Sequence, residues 1–215
     1  MYNITLISTF HSELGKCNSD ELYKIIKSIN PDVIFEELPS DLFDQIYIKN
    51  LYSDLSPETE CVKKYLQDHN IKHIPVDIPL SSNLFNNQIE YMLNVFKKYN
   101  VYRELLDEQY LMIEQNGFAY LNSEKFSESL DKKTAIEKYL IGFANRDIYR
   151  LFHEEQDNRE NEMLRNIYNY STENPYNQAA FLIGCAHRNS IMRKIEEYEA
   201  REKLKLNWVF YSQPK

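Results

Sequence analysis

The chain opens on short apolar runs that alternate with amphipathic stretches. Ile4 to Thr9 reads as a strand, Ser19 to Ile29 as a helix and Val33 to Glu36 as a second strand, which together make a βαβ opening. In that helix Leu22, Ile25, Ile26 and Ile29 recur at i, i+3, i+4 and i+7. Ser19 with Asp20 and Glu21 supplies its start, and Asn30-Pro31 its stop. A helix from about Pro57, with Cys61, Tyr65 and Leu66 on one side, leads to a third short strand from His73 to Asp77. From about Leu84 to Tyr170 the period changes to 3.6, as in Ile89, Met92, Leu93, Phe96 and again in Ile136, Tyr139, Leu140, Phe143. Gly117 and Asn122-Ser123 break that region, and Asp131 to Tyr149 and Asn158 to Tyr170 read as two of its helices. After Pro175 the α/β pattern returns, with Ala179 to Ile183 a strand, Gly184 a turn, Ser190 to Lys203 a helix and Leu206 to Tyr211 a last strand.

The pattern predicts one α/β domain over residues 1–215. Its central mixed, mainly parallel sheet is built from both chain ends and flanked by helices, with a large helical insertion at about 84–170. The composition fits this picture: 4 Gly against 17 Tyr and 11 Phe disfavour folds built on repeated glycine turns. A net charge of -8 argues against nucleic acid as a partner, because phosphate binding needs a dense Lys and Arg face. Three widely spaced cysteines, Cys17, Cys61 and Cys185, make neither a disulfide framework nor a zinc knuckle. No secretory signal pattern and no run of about 20 apolar residues is present, so the expected setting is cytoplasmic, without a membrane partner. An exposed helical face is compatible with a homodimer.

In open parallel sheets, ligands collect outside the carboxyl ends of the strands. The polar residues expected there are His11, Glu36, Glu37, Asp77 and His187. Strand alternation sends Glu36 and Glu37 in opposite directions, so one faces the cleft; Glu36 is favoured because it directly follows Phe35. His187 lies in Gly184-Cys-Ala-His187, where the glycine permits a tight turn into a helix. Arg159 stands on a helix whose buried stripe is Met163, Ile167 and Tyr170, and it could reach the cleft to bind a carboxylate or oxyanion, with Glu160 orienting it. His69 and His73 are separated by a helix end, His153 reads as a surface residue, and Cys185 as a small packed residue.

Taken in order, Ser8-Thr-Phe-His11, Glu36-Glu37, Arg159-Glu160-Asn-Glu-Met163-Leu-Arg-Asn166-Ile167 and Gly184-Cys-Ala-His187 resemble the TraB/TIKI superfamily, which includes erythromycin-esterase-like and ChaN-like proteins. The first motif has Ser8 where the family has Gly, and Glu160 stands in place of the Asp of the erythromycin-esterase-like branch. The TIKI-like resemblance implies a metal-dependent hydrolase, peptidase-like, acting on a peptide or small acyl substrate. In that reading Mn²⁺, Co²⁺ or Zn²⁺ on His11, Glu36 and His187 lowers the pKa of bound water from about 15.7 toward about 7. The other branch implies a metal-independent hydrolase with His11 as general base. A third alternative, suggested by Ser8, is a catalytically inactive binding protein.

Overall fold

The computed structural model describes residues 2–53, 55–79, 83–143 and 146–212; the side chains of residues 83–86 and 143, and with them Phe143 of the expected apolar stripe, lie outside that description. Five strands form one sheet: β1 (Asn3–Thr9), β2 (Val33–Pro39), β3 (Lys72–Asp77), β4 (Gln178–Gly184) and β5 (Asn207–Phe210), in the order β3-β2-β4-β1-β5. Every pairing is parallel, so the sheet is an α/β sheet as expected but not a mixed one. The sheet is built from both ends of the chain: Ile4 of β1 lies opposite Ala179 of the central β4 on one side and Trp208 of the edge strand β5 on the other.

Helix α1 (Ser19–Ile29) joins β1 to β2, and a short α2 (Ser40–Phe43), a π-helical turn (Asp44–Ile48) and α3 (Pro57–Asp68) join β2 to β3. The N-cap of α1 is Asn18 rather than Ser19: the Asn18 side chain accepts the Glu21 N–H at 3.0 Å, leaving Ser19 as the first helical residue. Asn30 ends α1 in the left-handed conformation, at φ 50°. Ser56 caps α3 and Pro57 occupies its first turn, which places Glu58 at the helix start. Because each such helix runs back against its strand, that start lies at the carboxyl rim of the sheet.

Between β3 and β4 run α4 (Asn83–Phe96), α5 (Asn100–Asn116), α6 (Phe118–Leu121), α7 (Glu124–Leu140) and α8 (Arg146–Glu173). The helix expected over Asp131 to Tyr149 is instead two: α7 ends at Leu140, a 3-10 turn (Ile141–Phe143) containing Gly142 follows, and α8 begins at Arg146. Glycine has poor helix propensity, and here it coincides with the break. A 3-10 turn (Cys185–His187) then leads from β4 into α9 (Arg188–Arg201).

Alternation along the strands divides the core. Ile4, Leu6, Val33, Phe35, Phe181 and Ile183 pack with Met163 and Ile167 of α8 and Ile191 of α9. On the opposite face Ile7, Ile34, Ala180 and Leu182 pack with Leu22 and Ile26 of α1, Val62 and Tyr65 of α3, and Phe118, Leu121 and Phe126 of the helical region. A third cluster, centred on Phe96, Tyr102 and Leu140, belongs to the intervening helices alone. At roughly 1.5–3 kcal/mol for each large side chain fully buried, these layers supply the main favourable term that fixes the strand ends in place.

Candidate active site

Glu36 and Glu37 illustrate how the two faces continue to the rim. Phe35 belongs to the α8 and α9 face, so Glu36 points toward α3 and Glu37 toward α8. The Glu37 Oε1 accepts hydrogen bonds from Arg159 Nη2 at 2.8 Å and His187 Nε2 at 3.2 Å, and its Oε2 accepts the Gly184 N–H at 2.5 Å. Burial alone would raise the Glu37 pKa; the hydrogen bond and charge of His187, the charge of His11 and the Gly184 N–H outweigh it and hold the carboxyl at about 2.

Both groups around Glu37 carry a second anion. Arg159 donates Nη2 to Asp77 at 2.6 Å and Nε at 3.2 Å, and its Nη1 reaches Gln156 at 2.8 Å. His187 Nδ1 donates to Glu160 at 2.8 Å, and Glu160 in turn accepts from Ser190 at 2.6 Å and faces the buried Lys194 ammonium at 3.1 Å. Burial opposes the imidazolium, but the hydrogen bonds to Glu160 and Glu37 prevail and push the His187 pKa up to about 9. His187 is therefore a cation at neutral pH with both ring nitrogens donating.

His11 stands beside this cluster with its side chain 61% exposed. Its Nδ1 lies 3.0 Å from Glu58 Oε1, a hydrogen bond that raises its pKa more than burial lowers it. Its other nitrogen lies against Gly184: a Cβ there would meet His11 Nε2 at 2.6 Å and Glu37 Oε2 at 3.1 Å. The absent side chain is what lets the imidazole and the carboxylate approach the end of β4 together. His11, Glu37, Arg159, Glu160 and His187 thus share one rim.

Glu36 lines the same small cavity as His11, Glu37 and Glu58, but it is held by other partners. Its buried carboxylate accepts from His73 Nδ1 at 2.8 Å and from the Tyr47 hydroxyl at 2.5 Å, and Phe43 and Tyr47 pack on the His73 ring at 4.7 and 4.5 Å. Both carboxylates therefore face the cavity, but it is Glu37, not the favoured Glu36, that Arg159 and His187 reach. The expected metal set of His11, Glu36 and His187 is not assembled, since Glu36 is engaged by Tyr47 and His73 and both His187 nitrogens face carboxylates. Among the described residues no group of three or more His, Cys, Asp or Glu side chains could hold a metal ion. These side chains, as placed, do not fit a metal.

The residue that sequence reasoning missed is Glu58, although the Ser56-Pro57 helix start marked its position at the rim. Ser8, the departure from the family pattern, is a docking point for the helical region. Its N–H donates to Asn122 Oδ1 at 2.8 Å, its carbonyl accepts from Asn122 Nδ2 at 3.0 Å, and its Oγ accepts from the buried Arg188 at 3.2 Å. Cys185 is not paired with His187 and burial pushes its thiol up to about 12; His69 stacks on Tyr65 at 3.9 Å, away from His73. His153 is exposed against Tyr149. No helix among the described residues is long and apolar enough to cross a membrane. Comparison with protein-family models, with curated proteins and with solved structures finds no match to this chain.

Proposed function

We propose that the protein is a hydrolase that activates water by general-base catalysis at His11 and attacks an acyl or peptide bond, in the manner expected of the metal-independent, erythromycin-esterase-like branch. The observation that carries this reading is the His11–Glu58 hydrogen bond of 3.0 Å, with the other ring nitrogen at the rim beside Gly184 and Glu37. Glu58 fixes the tautomer with the proton on Nδ1, leaving Nε2 as the base. As Nε2 takes a proton from water, the water oxygen bonds to the acyl carbon and the carbonyl pair moves to oxygen. Collapse of that intermediate expels the alcohol or amine, which takes the proton back from Nε2. The imidazolium formed in between is favoured by the charges of two carboxylates, Glu58 and Glu37, the latter ionised at neutral pH. General-base catalysis of this kind contributes typically 10²–10⁴-fold.

The test is a screen of p-nitrophenyl esters and short peptides with wild type, His11→Ala and a chelator-treated sample. The expected result is hydrolysis that survives chelation and falls by about 10²–10⁴-fold in His11→Ala. Activity abolished by chelation and restored by Mn²⁺, Co²⁺ or Zn²⁺ would replace this reading by the metal-dependent one, and a folded protein inert to every substrate would leave the binding module.

A further inference from the structure

The loop that carries His11 is seated on the helical region as well as on the sheet. Between β1 and α1, residues 10–18 close a narrow turn in which Leu14 and Cys17 exchange backbone hydrogen bonds of 2.9 Å in both directions, with Cys17 buried. This turn lands on the last turns of α5. The Lys16 N–H donates at 2.9 Å to the carbonyl of Glu114, one of the helix-end carbonyls that α5 itself leaves unpaired. Phe10, the residue before His11, meets the Tyr110 ring edge-on at 6.0 Å, one helical turn from Glu114. His11 therefore lies between two contacts that its loop makes with one face of α5. Two glycines make the landing this close. Gly15 and Gly117 both have φ of 54°, and a Cβ on Gly15 would stand 2.3 Å from the Glu114 carbonyl oxygen, one on Gly117 2.4 Å from that of Lys16. Each backbone occupies the space that a side chain on the other would need. With Gly184, whose Cβ would meet the His11 ring itself, three of the 4 glycines of the chain lie against His11 or its loop. In a chain this poor in glycine, that concentration marks the seat on α5 as a fitted contact.

Resting on the hydrolase reading above, we infer that the C-terminal half of α5 positions the general base, with Tyr110 and Gly117 as positioning residues for His11. Glu58 holds the ring through Nδ1, but a hydrogen bond to the ring does not fix the backbone that carries it. The charged groups that face the imidazole, Glu58, Glu37 and His187, stand on α3, β2 and the turn before α9, and none of them on α5. Helix α5 thus acts on His11 through the loop, and a displaced loop shows itself as a weakened bond to Glu58. The leverage is large, since misplacing a catalytic group by about 1 Å can cost about 10²-fold in rate.

The mild test is Tyr110→Ala, at a residue 48% exposed, with Tyr110→Phe as the conservative control; Gly117→Ala is the severe one. In hydrolysis of p-nitrophenyl acetate, kcat is expected to fall at least about fivefold in Tyr110→Ala and further in Gly117→Ala, with KM within about twofold and Tyr110→Phe close to wild type. The titration of the His11 Cε1–H resonance is the second readout and needs no turnover. Its midpoint lies above 6.5 in the wild type because of Glu58, and in both alanine variants it is expected to move toward 6.5 as that bond loosens. Circular dichroism checks that Gly117→Ala folds; if it does not, Tyr110→Ala decides alone. An unchanged His11 midpoint in Tyr110→Ala would overturn the inference whatever the rate does, and so would a rise in KM at constant kcat, which would make Tyr110 a wall of the substrate site. The two ideas fail separately. Ester hydrolysis with an unmoved midpoint removes the positioning role and leaves the hydrolase, whereas a moved midpoint without turnover of any ester supports the seating of His11 on α5 and removes the hydrolase.

Discussion

Glu36 and Glu37 are adjacent in the second half of β2 and are both held by hydrogen bonds, yet they occupy opposite kinds of environment. Glu37 sits among full charges, between Arg159 and His187, each of which has a further anion behind it. Glu36 sits among rings, with one phenol and one imidazole as donors and Phe43 packed behind them. The first arrangement is an ion network in which each cation is shared between two carboxylates. The second is a single carboxylate cradled by two ring donors. The difference teaches that a one-residue step along a strand decides whether a carboxylate organises charge across α8, β2, β3 and β4 or anchors a single π-helical turn to the sheet edge.

The sharpest way to break the comparison is Glu37→Gln. It leaves Arg159 and His187, whose side chains are 12% and 9% exposed, with one counter-charge fewer each. Removal of one partner from a buried ion pair typically costs about 3–5 kcal/mol. Urea unfolding is expected to show a loss in that range; a loss below about 1 kcal/mol would mean that Asp77 and Glu160 alone satisfy the two cations. Tyr47→Phe is the matching change on the other side. It removes one donor from Glu36 while His73 remains, and a hydrogen bond to a charged group contributes about 1.5–3 kcal/mol. The same unfolding series should rank it clearly below Glu37→Gln.

The two carboxylates also differ in what they do to the pH dependence of stability. His187 is raised from 6.5 to about 9, so its contribution is complete below pH 6.5 and is lost as pH rises through about 9. Glu37 is lowered from 4.5 to about 2, so its contribution is complete above pH 4.5 and is lost as pH falls through about 2. Together they predict a plateau between about pH 4.5 and 6.5 with losses on both sides. In Glu37→Gln the alkaline loss should shrink, because a named cause of the His187 shift is gone, and the His187 ring resonances should titrate at lower pH. In Tyr47→Phe both flanks should stay as in the wild type.

Much of this arrangement was legible in the sequence, for identifiable reasons. The apolar period located the five strands and placed His11, Glu36, Glu37, Asp77 and His187 near their carboxyl ends, since the end of an apolar run announces where the polar rim begins; β2 itself continues through both glutamates to Pro39. Alternation also required Glu36 and Glu37 to diverge. It did not say which face would meet α8, because that depends on how the late helix returns across the sheet, a tertiary fact with no local signal. Glu58 escaped for a similar reason: its pairing with His11 spans 47 positions, and only the Ser56 cap hinted that it stood at the rim. The role of Ser8 was hidden in Asn122 and Arg188, which reach it from 114 and 180 positions away.

The smallest expected effect on stability comes from Gly184→Ala, which tests whether the Glu37 network and His11 can be uncoupled. Gly184 has φ -54°, a backbone conformation open to alanine, so the change introduces no backbone strain. The new Cβ would meet His11 Nε2 at 2.6 Å, but that atom is the far end of a side chain 61% exposed and held only through Nδ1 by Glu58, so the ring can swing outward at the expense of that one hydrogen bond. Glu37 Oε2, at 3.1 Å from the same Cβ, has less freedom because the Gly184 N–H, Arg159 and His187 hold the carboxylate. The strain should therefore discharge through His11, with stability within about 1 kcal/mol of wild type, below the usual 1–3 kcal/mol for overpacking a filled core. The hydrolytic rate should nevertheless drop at least tenfold, because Nε2 no longer stands beside the end of β4, and His11→Ala on the Gly184→Ala background should add little further loss. A stability cost above about 2 kcal/mol would instead show that the methyl group displaces Glu37, and would join the two sites that this substitution is designed to separate.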